Sequence, residues 1–371
     1  MLRFLILKFI INLFLLRFES DKVESEEITA PNIKSVTIKT NSIDFGDNNT
    51  LNKNSLVSKS SNNSTTLGCN TSATGKCSIA MGNVTKAVGA QSVAMGHDTS
   101  ANGAQSVAMG LNTKAYASNS VAMGLGTKVT GINSLAMGLN TSANDWNSVA
   151  MGRDTSANGW NSLAIGQKTR TDASNAVAMG HDTSANGWNS LAIGQKTRAD
   201  ASNSVAMGWD TSAIGVASVA MGYDTSANGE GSVAMGYQTK ATGYDCVAMG
   251  YQTKANGSDS VAMGYLSKTS TDASNAVAMG HDTSANGTNS LVLGKYNKTD
   301  TSDNSLTVGI GNADNDRKDL VRINNNNNNC NIETDESELI IKVGGTQYKF
   351  TATTITKTDA TGTLVASWIA P

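Results

Sequence analysis

The residues of this chain best suited to contact chemistry are aromatic, and they recur in columns. Tyr223, Tyr237, Tyr251 and Tyr265 stand fourteen residues apart, with Trp209 one interval earlier. Trp146, Trp160 and Trp188 form a second set, at intervals of fourteen and twenty-eight. Flat amphipathic rings suit contact with sugars and with proteins. The competing role is ring stacking between neighbouring rungs, which would only stiffen the fold. These eight residues are the candidate ligand-contact surface.

Other chemistry finds little support. His97, His181 and His281 are single histidines without a partner motif. Cys69, Cys77, Cys246 and Cys330 match neither a zinc spacing nor a dense disulfide framework, although Cys69 and Cys77 lie close enough in sequence to consider a pair. No Walker loop, nucleophile elbow, paired catalytic histidine or calcium-binding Gly-Gly-x-Gly-x-Asp nonapeptide is present. No catalytic, cofactor-binding or metal-ligating residue is expected, and no cofactor. Lys240, Lys254 and Lys268 recur at the same interval, as a polyanion-binding stripe or as a solvated face. The formal net charge of -2 gives no electrostatic case for nucleic acid.

The element that positions these columns is a repeat. Ser-Val-Ala-Met-Gly or a close variant returns every fourteen residues from Gly68 to Gly264, slips twice, and resumes at Gly280, Gly294 and Gly309. A fixed period over this length means one unit stacked on copies of itself. Aromatic residues make up only 5% of the chain and proline occurs only at Pro31 and Pro371. The core must therefore be thin and built of small apolar residues.

In the unit Ser92 to Gln105, Gly96 and Gly103 divide two segments too short for helices and right for strands. Each unit is then one coil of a parallel β-solenoid: strand, corner, strand, corner. Side chains alternate along each strand, so Val93 and Met95 share one face, and Ser92 and Ala94 the other. The expectation is that Val/Leu, Met/Ile, Thr and Ala of the second strand fill the coil. Ala94, Ala108, Ala122, Ala136 and Ala150 would then point outward as a flat column. A free surface has no reason to hold such a column, which marks it as an oligomer face. Charges follow a rule as well, and neighbouring rungs would place Asp154 near Lys168 and Arg170, and Asp182 near Lys196 and Arg198. The Thr column is expected to point inward.

The flanks differ in character. Residues 1–18 are strongly apolar, interrupted by Arg3 and Lys8, and fit a secretory signal better than a membrane span. A short uncleaved anchor is the competing assignment, and the only expected contact with membrane. Residues 19–63 form a polar lead-in and cap, with strand signals at 35–38 and 42–45. Residues 64–309 are the repeat array, and residues 310–332 an Asn-rich linker. Residues 333–371 form a small β module whose alternating runs flank Gly344-Gly345 as a hairpin.

The unit resembles the head repeat of the YadA-like trimeric autotransporter adhesins, in which Asn-Ser-Val-Ala-Ile-Gly is followed by Ser/Thr-x-Ala-x-Gly. Asn147 to Gly152, with Thr155, Ala157 and Gly159, carries the match. The resemblance implies an all-β, left-handed parallel β-roll of which three copies form a homotrimer. It also implies a surface-exposed adhesin head, extracellular or on the outer membrane, that attaches to a host surface protein or glycan. The chain departs from that family's pattern in showing no heptad stalk and no barrel anchor. The same repeats resemble segments of phage and large-virus fibres, so a structural virion fibre is the alternative function. A polysaccharide-active β-helix enzyme is a poorer one, because the loops are short and uniform.

Overall fold

The computed structural model describes residues 62–298, 301 and 303–326, and the strand segments 42–44, 50–52, 58–59, 329–333, 338–343, 346–351, 354–358 and 364–369. The apolar leader 1–18 and the strand signal at 35–38 lie outside the described residues. The chain divides into two compact units, Met1–Asn140 and Thr141–Pro371. Every described element of regular structure is a β-strand.

In the first unit, five-residue strands alternate with two-residue strands. Val93–His97, Ser100–Ala101, Val107–Leu111 and Lys114–Ala115 are typical. From Thr65–Cys69 onward, long strands pair with long strands and short with short, all parallel, while Ser58–Lys59 lies antiparallel to Thr65–Cys69 and Ser42–Asp44 to Thr50–Asn52. Val93 pairs with Val107 and Val107 with Val121, while Ala94, Ala108 and Ala122 pair likewise. The second unit repeats the arrangement from Ser142–Ala143 and Val149–Arg153 to Leu291–Lys295 and Leu306–Ile310. Each fourteen-residue block is therefore one coil of a parallel β-solenoid, with equal positions in register.

Glycine and left-handed residues share the corners. Gly96 has φ 128°, and a Cβ there would run into the carbonyl of Gly110 in the next coil. Gly103 lacks that dihedral but faces the Ala117 carbonyl as closely. The left-handed turns themselves fall to Asp98 (φ 51°) and Gln105 (φ 58°), and to Asn, Asp, Gln or Lys at most equivalent positions. Asn and Asp tolerate this region best among side-chain-bearing residues. In the second corner an inward serine hydroxyl closes the turn: Ser106 Oγ donates to the Gly103 carbonyl at 2.7 Å and Ser232 Oγ to that of Gly229 at 2.6 Å.

The expected faces of the long strand are reversed. Ala94, Ala108, Ala122, Ala136 and Ala150 are fully buried at 0% exposure, whereas Val93 and Met95 and their equivalents are half-exposed. The alanine column fills the coil and is not an oligomer face. The reason is the coil's cross-section. Two strands joined by tight corners face each other across a gap that holds Ala, Thr and Ser, with no room for two rows of Val and Met. Thr99, Ala101 and their equivalents do point inward, as expected.

At its C-terminal end the second unit changes pairing. Leu306–Ile310 takes Asp319–Asn326 as an antiparallel neighbour, with a bulge at Val308/Gly309, and Asn329–Glu333 follows. The segment expected to be an Asn-rich linker thus carries two strands that cover the last long rung. The last short rung is closed by a side chain: Asn297 Oδ1 accepts from the Ser284 amide at 2.8 Å and its Nδ2 donates to the Ser284 carbonyl at 3.1 Å. The amide imitates one more rung, and an exposed strand edge is blunted. Four antiparallel strands, Glu338–Val343, Thr346–Thr351, Thr354–Thr358 and Leu364–Ile369, form a separate meander.

Candidate functional site

Three surface features arise from the coil, one on the long strand and two at its ends. The first is the outward face of the long strand. In-register pairing stacks Val219, Val233, Val247 and Val261 in one row and Met221, Met235, Met249 and Met263 in another. These side chains are half-exposed, with no protein layer above them. Two parallel apolar rows thus lie on the surface in the second unit, and matching rows run through the first.

The second feature is the Tyr column, at the end of the long strand. Trp209, Tyr223, Tyr237, Tyr251 and Tyr265 pair in register. The four tyrosines stack with centroids 4.9–5.0 Å apart and planes within 5°. His281 continues the stack against Tyr265 at 4.6 Å, and Tyr296 follows, tilted, at 4.9 Å. The Arg317 guanidinium lies 5.8 Å from the Tyr296 centroid and bonds Asp282 Oδ2 at 2.7 Å. Trp209 is tilted against Tyr223 at the other end. The rings cover one another's faces and offer their edges to solvent. Beside them Gln252 Nε2 donates to Gln238 Oε1 at 2.7 Å, an amide ladder parallel to the ring ladder. The sequence column ended at Tyr265. The slip between Gly264 and Gly280 hid its extension to His281, and Tyr296 joins from the position after Lys295, which is the register partner of His281.

The third feature is the Trp column, at the second corner. Trp146, Trp160 and Trp188 are 56%, 49% and 56% exposed. Among the described residues they stack on no other ring. The backbone holds them in a hydrogen-bonded column, for the Trp146, Trp160 and Trp188 carbonyls accept from the amides of Asn161, Asn175 and Asn203. Ser174 occupies the rung between Trp160 and Trp188, its carbonyl bonded to the Asn189 amide.

Charges near this corner are paired within a coil. Arg170 Nε bonds Asp172 Oδ1 at 2.6 Å, and Arg198 pairs with Asp200. The expected partners of Arg170 and Arg198, on neighbouring rungs, were Asp154 and Asp182. Residues two apart on an extended strand share a side, so the acid in the same coil is nearer. Hydrogen bonding to Asp172 holds the Arg170 pKa above its ordinary value. Cys69 and Cys77 are exposed free thiols, not a pair, and Cys246 is buried. Burial pushes the Cys246 thiol up to about 11. Among the described residues no three His, Cys, Asp or Glu side chains gather as a metal site requires, and no helix is long and apolar enough to cross a membrane.

A family-model match agrees with the repeat. A family model described as the YadA head domain repeat (2 copies) matches residues 73–99, 87–113, 101–127, 130–155, 147–169, 157–183, 185–211, 213–239, 241–267 and 272–297. Among solved structures, the collagen-binding domain of the Yersinia adhesin YadA is similar at 23% identity over 50% of this chain and 69% of that one, with a TM-score of 0.14. No curated protein matches.

Proposed function

We propose, on the premise that the chain belongs to the YadA head domain repeat family, that it is the head of a surface-exposed attachment fibre, assembled from three copies of itself. An adhesin-type role comes with the family. Attachment to a host cell or matrix, through a surface protein or glycan, is the specific role we assign. Its work is binding rather than catalysis, and its place is outside the cell.

One observation carries the assembly. The coil interior is already filled by Ala, Thr and Ser, yet Val and Met stand in two rows on the outside. An exposed apolar surface of this extent marks a contact with another molecule, and the strict register suits a second copy of the same face. Val and Met rows from neighbouring copies would then supply the large-residue core that each thin coil lacks.

Sedimentation equilibrium tests the assembly. The expected mass is three times 38.4 kDa. Replacing Val219, Met221, Val233 and Met235 by Gln is expected to weaken association at least tenfold while leaving β-structure intact. A wild-type chain that stays monomeric at high micromolar concentration overturns the proposal. Binding of the intact oligomer to host cells, compared with the Gln variant, tests the attachment role.

A further inference from the structure

The two aromatic columns are not equivalent surfaces. A sugar ring lies flat on an aromatic face. Along the Tyr ladder those faces are taken by neighbouring rings, 4.9–5.0 Å apart and nearly parallel. No other ring covers the tryptophans among the described residues, and they are more exposed than any ladder tyrosine. Ordinary aromatic stacking would have brought Trp146 and Trp160, one rung apart, into contact as it does Tyr237 and Tyr251. It has not.

The surroundings of the Trp column are also polar and ordered. One residue after each Trp, an asparagine ladder runs along the corner: Asn147 donates to Asn161 at 3.0 Å, Asn161 to Asn175 at 3.2 Å, Asn175 to Asn189 at 3.0 Å and Asn189 to Asn203 at 3.3 Å. Two residues before Trp160 and Trp188, Asn158 and Asn186 donate to Asp172 and Asp200 of the next coil at 2.8 and 2.7 Å. Those two carboxylates are the ones bonded to Arg170 and Arg198. Trp160 and Trp188 stand between two hydrogen-bonding strips, and the acids in those strips are paired with arginines, while Asp145, next to Trp146, accepts from the Trp146 amide at 2.8 Å.

The spacing adds a period. Residues 153–180 and 181–208 are the same text except for Arg153/His181, Thr171/Ala199 and Ala176/Ser204. Two coils therefore form one composite unit, used twice, and both copies carry one Trp, one serine rung and one Arg-x-Asp pair. Two rungs span roughly 10 Å, about the length of two linked pyranose rings in an extended chain. Within the same phrase near the C-terminal end, Thr288 takes the Trp position, so the motif exists without its ring.

We propose that Trp160 and Trp188, extended by Trp146, form a track for an uncharged, unbranched polysaccharide. Alternate sugar rings lie on Trp160 and Trp188, Trp146 meets the ring next to that on Trp160, and sugar hydroxyls bond the Asn and Asp strips. The balanced charge of the corner suits a neutral chain and gives no hold to a polyanion. This rests on the attachment role above and names its ligand class. The Tyr ladder is then a stiffener, not a second glycan site.

The test uses the full chain, with cellohexaose and chitohexaose as extended neutral probes, maltohexaose as a curved one and hyaluronan as a charged one. Titration calorimetry is expected to show binding of at least one extended neutral probe. Trp160→Ala or Trp188→Ala should weaken it about tenfold and the double variant should abolish it, with Tyr237→Ala/Tyr251→Ala unchanged. On the wild type alone, bound oligosaccharide should protect Trp160 and Trp188 from N-bromosuccinimide, read by peptide mass, and leave Trp209 unprotected. No binding to either extended probe at millimolar concentration overturns the proposal. So does preference for hyaluronan, an affinity indifferent to the Trp replacements, or a change of oligomer mass in Trp160→Ala/Trp188→Ala, which would place the rings in a subunit contact. A monomeric wild type speaks against the attachment head itself. A trimer that adheres to cells but ignores these sugars speaks against the track alone.

Discussion

Replacing Thr225 by Val should stabilise the second unit. Thr225 is 1% exposed, and its hydroxyl has no hydrogen-bond partner. The same holds for Thr211 and Thr239, on the rungs before and after. A buried hydroxyl without a partner costs about 1–3 kcal/mol. Valine keeps the β-branch, so strand preference and shape change little. The expected gain is therefore about 1–2 kcal/mol at one rung, the lower part of that range, because methyl-for-hydroxyl exchange in a tight coil is not free of strain. Guanidinium unfolding reads it as a rise in midpoint with unchanged slope. Adding Thr211→Val and Thr239→Val should raise the midpoint further, though by less than three times, since the rungs touch. A loss of more than about 1 kcal/mol in the single variant would refute the reasoning. It would mean that the hydroxyl is bonded in solution and that the column is a polar network rather than a row of unmet donors.

Other outcomes are as specific. Ala220→Leu should destabilise by about 1–3 kcal/mol through overpacking, whereas Val219→Gln on the adjacent outward position should spare the fold and lower the oligomer mass in sedimentation. Gly236→Ala, at φ 129° and facing the Gly250 carbonyl, should cost at least about 1–3 kcal/mol by thermal unfolding. Cys246, whose thiol donates to the Ala255 carbonyl at 3.3 Å, should resist iodoacetamide at pH 8 in the folded chain and react once denatured, while exposed Cys69 and Cys77 react in both. Its raised pKa favours the folded state below the ordinary thiol range, and that contribution is lost as pH climbs through about 11. Alkylation by peptide mass against pH checks this, and early reaction at pH 8 would contradict the burial. Asn297→Ala removes the side chain that imitates a rung at Ser284. It should expose a short strand edge and raise concentration-dependent aggregation in light scattering.

Register was legible from the sequence because a constant fourteen-residue period admits one parallel alignment, and Val93, Val107 and Val121 do lie in one row. Which face turned inward was not. Parity tells which residues share a side of a strand, and hydrophobicity then votes for the larger ones as core. That vote fails when the corners hold the two strands of a coil so close that Ala, Ser and Thr, with an occasional Val or Cys, fill the gap between them. A usable signal was present all the same. The Ala94 column barely varies, whereas Val alternates with Leu and Met with Ile in the outward rows. An enclosed slot of fixed width accepts a narrow range of sizes, with Val292 an exception among the alanines, and a face that meets a deformable neighbour accepts several. Constancy of volume, rather than apolar character, identifies the interior of a thin coil. The same logic separates the aromatic columns. Their spacing is equally regular in the sequence, but stacking consumes the tyrosine faces and leaves the tryptophans open, a difference fixed by side-chain geometry that residue spacing does not carry. Where the period slips, at 264–280 and 294–309, the long strands stay paired. The ladder's continuation to His281 follows from that continuity of pairing, which a strict count of fourteen breaks, whereas Tyr296 joins from the position after Lys295, the register partner of His281.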